Sequence, residues 1–221
     1  MGVHTITLVV TDEEGLESDP ATVTFTVLDG VQYVSETGSD DNVGTKALPK
    51  RTIGAAAAAA VSFGQTEVHV AEGSYSAYTV VAGIDVTGGF DSSFEPGGGT
   101  TTVTGAPGSP GVSANGATVA TTLKRLTIQG GGGTHATGVL AQTDSVLILD
   151  TVSVDSGAAS GAGSSAYGVR ALSGSSVTVK DSTITAQDGV AGSNGTNGAE
   201  GAAGTAGNAA TAINNNGTTG T

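Results

Sequence analysis

Apolar and polar residues alternate one for one from His4 to Leu8 and from Ala21 to Val27, on either side of a polar segment that carries Gly15. A period of two marks half-buried strands, so residues 1–29 read as a β-hairpin. Further along, the alternation returns in short bursts. "TLKRLTIQGGGGTHATGV", "SVLILDTVSVDSGAASGAGSSAYGV" and "SVTVKDSTITAQDGVAGSNG" share one grammar. Each has a short strand, a polar corner (Lys124-Arg125, Asp150-Thr151, Asp181-Ser182), a second short strand and a glycine-rich loop, and Gly138-Val139 and Gly168-Val169 restart the cycle. Repeats of roughly 20–35 residues with several strands apiece predict a solenoid and exclude a helical bundle. Its core is expected to be aliphatic, with Val146, Ile148, Val177, Val179 and Ile184 facing inward. A single helix interrupts the pattern. Thr52 caps it, it runs through the poly-alanine stretch to Val61, and Gly64 stops it.

The glycine-rich loops recur at the same point of successive repeats and lengthen, from Gly130–Thr137 to Gly157–Ala166 to Asp188–Ala210, which predicts that they project side by side from one edge. In the last loop glycine holds every third position from Gly189 to Gly207. That period is the mark of segments packed along a glycine edge. The expectation is that the tract turns back in polyproline-II-like segments against the shorter loops. Plain disorder and collagen-like assembly between chains are the alternatives. The final "TAINNNGTTGT" resembles the start of another coil, so the solenoid is expected to end open.

Composition narrows the picture. Aromatic residues make up 4% of the chain and glycines number 37, so the core is built from Ala, Val, Ile and Leu in thin layers. A net charge of −13 with only seven Lys and Arg argues against nucleic acid or an anionic membrane as partner. Cysteine is absent, which removes disulfides and thiolate metal sites. No apolar run is long enough to span a bilayer, and "MGVHTITLVV" lacks the features of a signal peptide.

Two resemblances add to this. The hairpin, with its "VTD…G" bend, resembles the last two strands of a bacterial immunoglobulin-like or PKD-like domain, cut from its other strands. Further on, Tyr33-Val34, Gly38-Ser39-Asp40, Gly44-Thr45, Lys50-Arg51-Thr52-Ile53, Val68-His69-Val70-Ala71-Glu72-Gly73 and Tyr75 resemble the N-terminal cap of pectin-lyase-like repeat proteins, in particular the DUF1565 type of bacterial surfaces. "VTGGFDSSFEPGGGTTTVTG" is similar to a further stretch of them. The resemblance covers residues 31–221 and implies an all-β, right-handed parallel β-helix over residues 30–221, with a capping helix and glycine-rich loops on one edge. Its motifs describe cap and coils, none of them catalytic.

Candidate chemistry is sparse. Lyases of this kind use acidic calcium ligands and an Arg or Lys base, and hydrolases use paired carboxylates. The best match is the polar corner, where Lys124, Asp150 and Asp181 are expected to stack, with Arg125 and Lys180 beside them. Strands about 4.8 Å apart would bring them into ionic reach. The plainer reading is a turn held by Asx hydrogen bonds and screened ion pairs. Asp40, Asp41 and Asn42 are candidate hard-oxygen ligands for calcium, as is the acidic turn Thr11–Gly15. His4, His69 and His135 lack metal-ligand spacing. A threonine array of the ice-binding sort requires one position kept in every coil, and "LTIQ", "VSVD" and "TITA" keep it poorly. No cofactor is called for, calcium aside. The function expected is a structural or adhesive module of a large extracellular bacterial surface protein, with a polysaccharide, another surface protein or a second copy as partner. An enzyme acting on acidic polysaccharide, and a sugar- or ice-binding face without turnover, are the alternatives.

Overall fold

A computed structural model describes residues 2–27 and 29–208. The hairpin expected at the N-terminus is present, with β1 (Gly2–Leu8) antiparallel to β2 (Ala21–Val27). Its alternation sorts Ile6, Leu8, Val23 and Phe25 onto one side, all exposed. Thr5, Thr7, Thr22 and Thr24 take the other side.

From β3 (Val31–Val34) onward the chain winds as a parallel β-helix of about four turns. The first coil holds β4 (Glu67–Ala71), β5 (Gly73–Ser76) and β6 (Tyr78–Thr79). The second holds β7 (Asp85–Phe90), β8 (Thr101–Thr104) and β9 (Val112–Asn115). The third is β10 (Thr121–Lys124), β11 (Thr127–Gln129) and β12 (His135–Gln142). The fourth is β13 (Val146–Asp150), β14 (Ser153–Asp155) and β15 (Ser165–Ala171), and β16 (Ser176–Lys180) and β17 (Thr183–Thr185) begin a fifth. Equivalent strands pair in parallel, giving sheets ordered β3-β4-β7-β10-β13-β16, β5-β8-β11-β14-β17 and β6-β9-β12-β15.

Register turns each coil into copies of the last. One inward column of the first sheet reads Gln32, Val68, Val86, Leu123, Leu149, Val179. The second sheet contributes Tyr75, Val103, Ile128, Val154 and Ile184. The third contributes Tyr78, Val112, Val139 and Val169. Apart from Gln32 at one end and Val179 and Ile184 at the other, these residues meet in one core. Helix α1 (Ile53–Phe63) closes the N-terminal end. Thr52 Oγ1 accepts from the Ala55 amide at 3.2 Å, and Gly64 ends the helix at φ 65°. Ala56, Ala57 and Ala60 are buried on its inner side, where only a short side chain lets a helix lie close to strand ends.

The expected inward set is corrected at two of its five residues. Val177, Val179 and Ile184 do stand in inward columns, and their exposure of 36–44% at Val179 and Ile184 follows from their place in the last coil. In β13, however, Leu147 and Leu149 are the buried pair, and Val146 and Ile148 face the other way. Four consecutive aliphatic residues carry no alternation, so the face is set by register with β10 and not by local pattern.

The glycine-rich loops do lie on one edge, and Gly105–Gly111 belongs to the same series. They stack through backbone hydrogen bonds: Gly131 N to Ser109 O (2.8 Å), Gly133 N to Ala158 O (3.0 Å) and Ser160 N to Gly133 O (3.1 Å). The last loop joins them only at its start, where Val190 N donates to Ser164 O at 2.9 Å. From Gly192 to Gly207 the tract is exposed and a Cβ at any glycine would meet no atom, so the expected packing against the shorter loops is not found there. Residues 209–221, and with them the resemblance to a further coil, lie outside the described residues.

Leu147→Ala is expected to cost about 2–5 kcal/mol, the usual penalty for emptying a buried leucine site. Ile148→Ala should cost clearly less, and denaturant unfolding of the two variants checks the register. Gly138→Val should melt far below the parent, because its Cβ would meet Val154 Cγ1 and the Gly168 carbonyl, whereas Gly198→Val should melt with the parent. Comparing the two melting curves separates glycines that the fold needs from those it does not.

Candidate functional site

The polar corner lies between the first and second sheets, where the chain turns in a single residue. Arg125, Thr151 and Asp181 occupy the turn in successive coils, with φ of 50°, 56° and 45°. Side chains seldom adopt the left-handed region, least of all β-branched Thr. The ladder holds them there: Arg125 N donates to Asp150 O at 3.2 Å, and Thr151 N to Lys180 O at 3.0 Å.

Lys124 and Asp150 stand one residue earlier, in an outward column with Thr87 and Lys180. Lys124 Nζ lies 3.2 Å from Asp150 Oδ2, and Thr151 Oγ1 donates to Asp150 Oδ1 at 2.9 Å. The hydroxyl of Thr151, and after it Lys124, hold the Asp150 carboxyl below the usual carboxylate range. Of the three residues expected to stack, Lys124 and Asp150 therefore meet. Asp181 instead stands in the turn column, and it is Lys180 that falls opposite Asp150. The one-residue turn shifts Asp181 out of the strand column.

Beside the corner runs a groove of about 390 Å³, whose lining includes Arg125, Thr151 and Asp181 from the turn and Thr127, Ser153 and Thr183 from the strands that follow. The Arg125 guanidinium packs over the Phe90 ring at 5.4 Å, and its Nε is buried without a partner among the described residues. Thr127, Ser153 and Thr183 belong to an outward column that begins with Ser74 and Thr102. Every coil thus presents a hydroxyl at one position, about 4.8 Å from the next. Threonine itself is poorly kept there, as expected, because Ser74 and Ser153 interrupt it, but the position is kept as a hydroxyl.

Of the residues considered for calcium, Asp40 and Asn42 use their side chains in folding the cap. Asp40 Oδ1 accepts from the amides of Arg51 (3.0 Å) and Thr52 (2.9 Å), and Oδ2 from the Thr52 hydroxyl (2.9 Å). The Asn42 side-chain amide donates to Pro49 O at 2.9 Å, and the Asp41 amide to Ser39 Oγ at 3.3 Å. In the hairpin turn Asp12 Oδ1 accepts from the Glu14 and Leu16 amides, both at 2.9 Å. Among the described residues no group of three or more His, Cys, Asp or Glu is placed to hold a metal ion. His69 stacks on Phe90 (4.3 Å between ring centres) and lies 2.9 Å from Glu67 Oε1. His4 and His135 are far along the chain from it, each beside an aromatic ring, Phe25 and Tyr167. No helix among the described residues is long and apolar enough to cross a membrane. Neither a protein-family model nor a curated protein nor a solved structure matches this chain.

The hydrogen bonds from Thr52 and Arg51 lower the pKa of Asp40 against the opposing effect of its desolvation. A carboxyl with a depressed folded pKa stabilises the fold above its unfolded pKa, and that contribution is lost as pH falls through the folded value. Asp40→Asn should therefore melt below the parent at neutral pH, and the two curves should converge on acidification below the ordinary carboxyl range. Melting followed by circular dichroism across a pH series checks this.

Proposed function

We propose that the chain is a non-enzymatic structural or adhesive module of a large extracellular bacterial surface protein, built on a β-helix of the pectin-lyase-like kind. The observation that carries the reading is the outward column Ser74, Thr102, Thr127, Ser153 and Thr183, one hydroxyl per coil in unbroken register. A solenoid whose coils repeat the same outward group suits recognition of a partner that is itself periodic, and a polysaccharide lying along the axis is the partner favoured. The hydroxyls of this column are engaged with no other side chain among the described residues, and the groove beside them supplies the Arg125 guanidinium. Catalysis at the polar corner has less support. Both Asp150 oxygens are occupied, by Lys124 and Thr151, and Asp181 lies in a different column.

Incubation with polygalacturonate or alginate in the presence of calcium is expected to yield no unsaturated product by ultraviolet absorbance. The chain should be retained on an immobilised polysaccharide surface, and retention should fall when Thr127, Ser153 and Thr183 are replaced together by Val, Ala and Val. Product formation that disappears in Asp150→Asn would establish the enzymatic alternative instead.

A further inference from the structure

Two asparagine–glycine pairs stand in the Gly-X-X tract. Its phase sets Asn194 before Gly195 and Asn197 before Gly198, whereas Asn208, at the end of the tract, is followed by Ala209. A third such pair, Asn115-Gly116, lies where β9 ends. Glycine after asparagine matters because it carries no Cβ. Its backbone nitrogen can close on the asparagine side chain as a five-membered ring, a step that a Cβ hinders and that needs a backbone free to turn.

The pairs differ in their surroundings. Asn115 is held in β9 opposite Gln142 of β12, and the Gly116 amide donates to Gln142 O at 3.2 Å. The nitrogen that would attack is thus engaged, and the ladder fixes the backbone around it. In the tract, the amides of Gly195 and Gly198 meet no acceptor among the described residues. Asn194, Gly195, Asn197 and Gly198 are all exposed, and a Cβ on either glycine would touch nothing. Backbone without ladder partners rotates locally at little cost, so the reacting arrangement is reached there without unfolding any coil.

We propose that Asn194 and Asn197 are sites of spontaneous deamidation, each converted by its following glycine to a mixture of isoaspartate and aspartate. The Gly195 backbone nitrogen gives its proton to solvent base and bonds to Asn194 Cγ. The side-chain nitrogen leaves as ammonia, taking up a proton from water. Water then opens the cyclic imide. Cleavage at the main-chain carbonyl leaves isoaspartate, with the chain running through Cγ, and cleavage at Cγ leaves aspartate. Gly198 acts on Asn197 in the same way, and nothing but water is consumed. Each conversion adds one negative charge to a chain already at −13. Isoaspartate also lengthens the main chain by a methylene, which breaks the spacing of that triplet. The tract therefore gains charge with time while the coils keep theirs. This goes beyond the adhesive reading and does not depend on it.

The folded full chain is incubated over a series of neutral to mildly alkaline pH values. Peptides are mapped over time by mass spectrometry, and isoaspartate is labelled with an isoaspartate-specific methyltransferase. Asn194 and Asn197 should convert at least about tenfold faster than Asn115, which must first leave its strand. They should also outpace Asn208, whose following residue carries a Cβ. Both products should form, and the rate should rise with pH, because the attacking amide must lose its proton. In denaturant Asn115 should catch up with Asn194. Gly195→Ala should slow Asn194 to the pace of Asn208, leave Asn197 unchanged and melt with the parent, since a Cβ there meets nothing. The proposal is overturned if Asn194 and Asn197 stay intact in the folded chain while Asn115 converts in denaturant, because contacts would then hold the tract. Equal rates at Asn115 and Asn194 in the folded chain overturn it too. So does aspartate without isoaspartate, the product of direct hydrolysis, or a Gly195→Ala variant in which Asn194 converts as fast as before.

Discussion

The structure depends on the parallel hydrogen-bonded stacking of one coil on the next. At about 4.8 Å between strands, residues of equal position are brought almost into contact, so each column must hold groups that tolerate their own likeness. Inward columns meet this with branched aliphatics such as Val103, Ile128 and Val154. Where a loop or strand start crosses another coil's backbone, only glycine fits. A Cβ on Gly111, Gly138 or Gly168 would run into Ile128, Val154 or Ile184 of the following coil. Ordered corners serve the same stacking: Ser145 Oγ accepts from Ala117 N, and Ser182 Oγ from Val152 N, both at 3.0 Å, so polar groups at the turns are satisfied between coils.

The same constraint determines what reaches the surface. A one-residue turn in the left-handed region reverses nothing and bends sharply, so Arg125, Thr151 and Asp181 stand apart from the strand column of Lys124, Asp150 and Lys180. Charges that neighbour each other in sequence are thereby dealt into two columns. Opposite signs alternate in one of them, and the other opens onto a groove walled by hydroxyls. The chain carries few basic groups, which makes the half-buried Arg125 over Phe90 a distinctive feature of that groove.

The Gly-X-X tract shows the opposite case. None of its glycines adopts the left-handed region, and from Gly192 onward none is crowded by a neighbour. Their period of three is therefore not demanded by contacts within the described chain, unlike the glycines of the stacked loops.

Much of the architecture is legible in the amino-acid sequence. Repeated strand–corner–strand–loop units, the Thr52 cap and the Gly64 stop are local patterns, governed by propensity and capping, and they are found where the residues point. The position of the loops on one edge followed from the repeat alone. Register between coils was not legible, because it depends on hydrogen bonds between residues about 30 apart. For this reason the pattern alone puts Val146 and Ile148 on the wrong face and Asp181 opposite Asp150, and it does not reveal that Ser153 stands in line with Thr127 and Thr183. Asp40 looked like a free oxygen ligand because its partners, Arg51 and Thr52, lie eleven and twelve residues on. The cleft between α1 and the first coil has no signal of its own in the sequence, since it forms only where the helix docks. By itself the sequence determined that the chain repeats, where it turns and how its helix begins and ends, since those depend on neighbours in the chain. Which residues share a column, a groove or a cavity was decided by the tertiary structure, because stacking sets that relation between coils and leaves no trace in any single one.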